Sequence, residues 1–126
     1  MAQLMIACAG LFLGLAVASA ANTSLEGEWR LVKVQDMQVD DGGTLLVKDG
    51  HISGSTGCNR FRASLEVKGP AIKIAPVAAT KMYCHDRAQV ERAYLAALET
   101  VTQFEITGGT LLMHYQPGDK LLEFKR

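Results

Sequence analysis

Residues 54 to 61 read Gly-Ser-Thr-Gly-Cys-Asn-Arg-Phe, and directly after them the chain begins to alternate. Phe61, Ala63, Leu65 and Val67 fall on one side, with Arg62, Ser64, Glu66 and Lys68 on the other. Glycine and asparagine tolerate left-handed backbone, so the first stretch suits a sharp reversal. A period of two is the signature of a strand with one face in a core. A corner that feeds such a strand holds Cys58 at a fixed place, and the remaining elements have to be arranged around it.

Three further hairpins are legible around that corner. Lys48-Asp49-Gly50 separates Thr44–Val47 from His51–Ser53, Gly69-Pro70 separates Phe61–Val67 from Ala71–Ile74, and Gly108-Gly109 separates Gln103–Thr107 from Thr110–Tyr115. Asp-Gly and Gly-Gly between apolar runs are hairpin signals. Gln116-Pro117-Gly118-Asp119 is expected to form a type II turn into a last strand, Leu121–Lys125. At the other end, Gly27–Val34 is expected to be the first strand, with Trp29 as a core anchor. Asp40-Asp41-Gly42-Gly43 reads as a loop, without the regular oxygen spacing of a calcium site.

One helix is expected, over about Asp86–Val101. Val90, Ala93, Tyr94, Ala97, Leu98 and Val101 form a single apolar stripe along it, and Asp86 stands where a carboxylate favours the helix start. The fold class is therefore α+β: a small, mainly antiparallel, strongly curved sheet or partly open barrel of about eight short strands packed on one helix.

Gly57-Cys58-Asn59-Arg60-Phe61, followed by Thr80-Lys81-Met82-Tyr83-Cys84, a short helix and a strand-turn-strand tail, resembles the META domain of HslJ-like bacterial envelope proteins. The resemblance covers nearly all of the chain after residue 25, so a single domain is expected over residues 25–126. It implies an envelope location and a part in stress tolerance.

The start of the chain agrees with that location. Ile6 to Val17 is almost wholly apolar and uncharged, and it runs into Ala18-Ser19-Ala20, a pattern suited to signal peptidase. Residues 1–20 are expected to be a signal peptide cleaved after Ala20, leaving a periplasmic or secreted protein that touches the membrane only before cleavage. Cys8 lies inside the apolar run rather than after it, which argues against a lipoprotein.

In an exported chain the two remaining cysteines, Cys58 and Cys84, have a disulfide as their default reading. Two alternatives stand beside it. One cysteine is a nucleophile served by His85 or His51, or Met82, Cys84 and His85 hold a soft metal. The bland reading of that last trio is a buried Met, a bridged Cys and an exposed His.

All 13 basic and all 13 acidic residues follow the apolar run, with no basic block, which argues against nucleic acid as a partner. No constellation demands catalysis or a cofactor. The expected function is a non-enzymatic envelope module, monomeric, that binds a protein, peptide or lipid. A small-molecule, lipid or metal binder with a pocket between sheet and helix is the alternative, and a Cys- or Ser-dependent hydrolase ranks last. Gly57 and Asn59 are expected to build the corner, with Arg60 free to offer a charged fork to an anionic group.

Overall fold

The structure, a computed structural model, describes residues 24–126. The expected signal peptide, its cleavage after Ala20 and Cys8 lie outside the described residues. Ten strands and one α-helix follow in order: β1 Gly27–Val34, β2 Met37–Gln38, β3 Thr44–Lys48, β4 His51–Ser55, β5 Arg60–Lys68, β6 Ala71–Ile74, β7 Ala78–Ala79, α1 Ala88–Leu98, β8 Val101–Thr107, β9 Thr110–Tyr115 and β10 Lys120–Lys125.

Every pairing is antiparallel, and the order β10-β9-β8-β6-β5-β4-β3-β1 closes on itself through β1 and β10. The result is an eight-stranded closed barrel, with β2 and β7 as two-residue additions beside β1 and β5. The curvature expected from the sequence thus runs full circle. A ring of this size encloses just enough room for side chains, and the alternation decides which ones enter. Trp29, Leu31, Leu45, Val47, Ile52, Phe61, Ala63, Leu111, Met113, Leu122 and Phe124 all point inward and are buried.

The hairpin signals translate directly. Asp49 and Gly50 both have positive φ, 52° and 77°, between the paired residues Lys48 and His51, which is type I′ geometry. The peptide between Gln116 and Pro117 is cis, a feature that the proline–glycine pair alone does not announce. Closure is thinnest between β6 and β8, where one register pair, Ala71↔Gln103, joins the strands, assisted by the Phe104 N–H donating to the Pro70 carbonyl at 3.0 Å.

The helix is shorter than the apolar stripe indicates. His85–Arg87 forms a 3-10 turn, α1 ends at Leu98, and Val101 begins β8. Thr100 turns the chain instead, its N–H returning to the Ala97 carbonyl at 3.0 Å. Asp86 makes no capping bond; it lies in the 3-10 turn, and the residue before α1 is Arg87.

Tyr94 explains where the helix sits. It is fully buried, meets Phe61 of β5 and Phe124 of β10 at ring-centroid distances of 5.4 and 6.0 Å, and donates its hydroxyl to the Thr44 carbonyl at 2.9 Å. A side chain that reaches β3, β5 and β10 together has entered the barrel through its mouth, so α1 is the stopper of that end. Burial raises the Tyr94 pKa well above the ordinary tyrosine value.

Candidate functional site

Two neighbouring features stand out, a corner at the stoppered end of the barrel and a cleft on its outer wall. The first is the corner, and Thr56 starts it. Its buried hydroxyl accepts the N–H groups of Asn59 at 2.9 Å and Cys58 at 3.2 Å, and donates to Glu91 of α1 at 2.8 Å. The Asn59 side chain, 2% exposed, then uses both its ends. Its oxygen accepts from the Thr80 hydroxyl and the Met82 N–H, each at 2.7 Å, while its nitrogen donates to the Met82 carbonyl at 2.9 Å and to Glu91.

A disulfide joins Cys58 to Cys84, with Cα atoms 5.9 Å apart. Gly57 has φ +93°, and a Cβ there would lie 3.2 Å from Arg87 Nε, so both backbone and space favour glycine. The Arg87 guanidinium is in turn ion-paired with Asp41. The structure therefore brings Gly57, Cys58, Asn59 and Cys84 together as the sequence indicates, and adds Thr56, Glu91 and Arg87. No sequence signal links positions 56 and 91. Met82 departs from the expected buried methionine: its backbone is engaged by Asn59, yet the residue is 62% exposed.

With its sulfur in the bridge, Cys84 supplies no thiolate for the Met82–Cys84–His85 metal reading or for nucleophilic attack. Among the described residues no group of three His, Cys, Asp or Glu side chains converges as metal ligands. His51 contacts the Asp49 carbonyl at 3.0 Å and His85 the Tyr83 hydroxyl at 3.3 Å. His114 lies between Glu105 at 2.9 Å and Asp119 at 3.0 Å, and its hydrogen bonds to Glu105 and then Asp119 raise its pKa.

The second feature is a cleft of about 890 Å³ on the outer wall of the barrel. It is lined from β1, β3, β4, β5, β7 and β10 and receives nothing from α1, so this cleft lies on the face of the sheet away from the helix rather than in the space between sheet and helix. Strand register builds it. Arg30 opposes Thr44 and Lys125, and Ser55 opposes Arg60; two residues along each strand, Glu28 opposes Leu46, Leu46 opposes Ser53, Ser53 opposes Arg62 and Arg62 opposes Ala78. These are the outward alternates of the strands whose other faces fill the core.

Asn59 and Arg60 thus divide the work of the motif. Asn59 turns inward to the corner, while Arg60 is exposed and lines the cleft, as the sequence indicates for a free guanidinium. Five of the lining residues are cationic, Arg30, Arg60, Arg62, Lys125 and Arg126, against one carboxylate, Glu28. Two of the five are engaged. Lys125 donates to the Thr110 hydroxyl at 2.9 Å beside Glu123, and Arg126 stacks 3.8 Å over the Trp29 ring while donating to the Glu26 and Ser24 carbonyls.

A family model of the META domain matches residues 22–126. The chain belongs to the META domain family. An NMR structure of a protein from Burkholderia xenovorans resembles this META domain at 20% identity and a TM-score of 0.66, covering 92% of this chain and 97% of that one. A second NMR structure is similar at 19% identity and a TM-score of 0.64, covering 79% and 88%. A crystal structure of a DUF4847 family protein from Bacteroides vulgatus is similar at 13% identity and a TM-score of 0.59, covering 79% and 92%. At these identities the likeness is one of fold. No curated protein matches the chain.

Proposed function

We propose that this META domain is a non-enzymatic binding module of the bacterial envelope, exported by a signal peptide cleaved after Ala20, that supports stress tolerance by holding a ligand on its barrel wall. The observation that carries the reading is the cleft. Its volume of about 890 Å³ falls within the roughly 300 to 1,000 Å³ of small-molecule sites, and its walls are regular strands, which hold side chains more rigidly than loops do.

The lining favours binding over turnover. No histidine is among the described lining residues, and the carboxylate of Glu28 stands two strands away from Ser53, with Leu46 between. A hydroxyl without an adjacent base is a weak nucleophile. Ser53 lies near the middle of the cleft, so Ser53→Trp fills it without touching the core. In a strain lacking the gene, this variant should fold normally and fail to restore envelope-stress tolerance. Full restoration by a folded Ser53→Trp protein would reject the cleft as the working site.

A further inference from the structure

We infer that the cleft takes a small soluble polyanion, clamped between Arg30 at one side and Arg60 with Arg62 at the other. The inference rests on the reading of the cleft as the binding site and names its ligand class. The register places Arg30 on β1 and Arg60 on β5, three strand spacings apart with Thr44 and Ser55 between them. That is roughly 14 Å of sheet at the backbone, and side chains extending from both ends narrow it. A guanidinium presents a planar fork that matches phosphate or carboxylate oxygens.

The floor between the forks is biased the same way. The Thr44 hydroxyl accepts the Ser55 N–H at 2.9 Å, and the Ser55 hydroxyl accepts the Gly57 N–H at 2.9 Å. Each hydroxyl keeps its own hydrogen to donate, so the row from Arg30 to Arg60 offers donors to an acceptor-rich ligand. Among the described residues none of Arg30, Arg60 and Arg62 enters an ion pair, in contrast to Arg87. Glu28 faces the cleft in the neighbouring row, beside Leu46 and at the end away from Arg62. It repels acidic groups there and leaves the Arg30–Arg60 row as their track.

A balanced total charge conceals this asymmetry. The chain is formally neutral, with 13 basic and 13 acidic residues, yet one wall gathers five cations around one carboxylate. Single exposed ion pairs are weak. Appreciable affinity therefore requires a ligand with several acidic groups engaged at once.

The test is calorimetric titration of the purified protein with inorganic tripolyphosphate and with orthophosphate at low ionic strength. Tripolyphosphate is expected to bind about tenfold more tightly. Arg30→Gln and Arg60→Gln should each weaken it about fivefold, while Arg92→Gln, on the exposed side of α1, should change it less than about twofold. Equal losses in all three variants would mean diffuse charge and overturn the clamp, as would an Arg30→Gln protein that binds unchanged. Anionic phosphatidylglycerol vesicles provide the other arm. Vesicle binding that is lost in Arg30→Gln, with no tripolyphosphate binding, would assign the wall to a membrane surface and overturn the soluble ligand. If Ser53→Trp abolishes function while tripolyphosphate fails to bind, the binding cleft stands and only its ligand class falls. If tripolyphosphate binds as stated while Ser53→Trp is fully functional, the ligand class holds and the proposed function falls.

Discussion

The side-chain amide of Asn59 pairs with the backbone of Met82 as another strand would, accepting from its N–H at 2.7 Å and donating to its carbonyl at 2.9 Å. One side chain thus splices the segment before the helix onto the corner, without an additional strand. Removing it strands the Met82 N–H and carbonyl in a part-buried setting, and leaves Glu91 with the Thr56 hydroxyl and the Thr80 hydroxyl with the Arg60 N–H. Asn59→Ala is expected to cost about 3 kcal/mol, given about 1 to 3 kcal/mol for each unsatisfied buried group. Urea unfolding measures it, and a loss below about 1 kcal/mol would show that the splice is dispensable.

Arg60, the next residue, should behave oppositely. Its side chain is exposed and makes no ion pair among the described residues. Arg60→Ala should leave the unfolding midpoint within the spread of ordinary surface changes, about 0.5 kcal/mol. A larger shift in the same urea series would place Arg60 in the structural corner after all.

The disulfide closes a separation of 26 residues, for which chain entropy gives about 3 to 4 kcal/mol. Cys58→Ser/Cys84→Ser should be destabilised by up to that amount and keep its barrel, since β1, β3, β9 and β10 pair independently of the bridge. Circular dichroism with thermal melting tests both parts. Thiol titration of the unfolded native protein without reductant should find neither cysteine free.

Gly57→Ala separates conformational strain from crowding. The φ of +93° persists whatever surrounds it, whereas the 3.2 Å approach involves Arg87 alone. The substitution should cost about 1 kcal/mol or more. In an Arg87→Ala background the cost should shrink without vanishing, and full rescue in that double-mutant cycle would leave the backbone conformation with no share.

His114 provides a pH signature on the far side of the barrel. Glu105 and Asp119 raise its pKa in the folded state, so the folded protein holds the proton more tightly than the unfolded chain. The stabilisation is fully present below the unfolded value of about 6.5 and is lost as pH rises through the raised folded value. An NMR titration should place the His114 midpoint above that of a free histidine, and His114→Gln should remove the corresponding slope from stability against pH. A midpoint at or below about 6.5 would contradict this.

Much of the architecture is written in the chain because its strands alternate and its turns carry Asp-Gly, Gly-Pro and Gly-Gly. The corner is legible too, through Gly57, Asn59 and the paired cysteines. What escapes is long-range pairing. Glu91 and Thr56 meet across 35 positions, and the closure of β1 on β10 joins the two ends of the domain. Neither leaves a local mark. The helix end is masked for another reason: Val101 continues the helical spacing of apolar residues by coincidence, its own burial arising from the strand that starts there. The cleft leaves no mark in the sequence because outward alternates such as Arg30, Arg62 and Ser53 read as ordinary solvent-facing positions until register sets them side by side.

The single register pair between β6 and β8 makes the barrel a hoop with one light clasp. Each of these strands has a backbone edge there that its neighbour covers only in part, and a partly covered edge is a template for another chain. Amide hydrogens flanking Ala71 and Gln103 should exchange before those of β9 and β10, whose six pairs run unbroken. Under heat or dilute denaturant, self-association should start from this clasp, by strand exchange between copies, long before the core of the barrel has come apart.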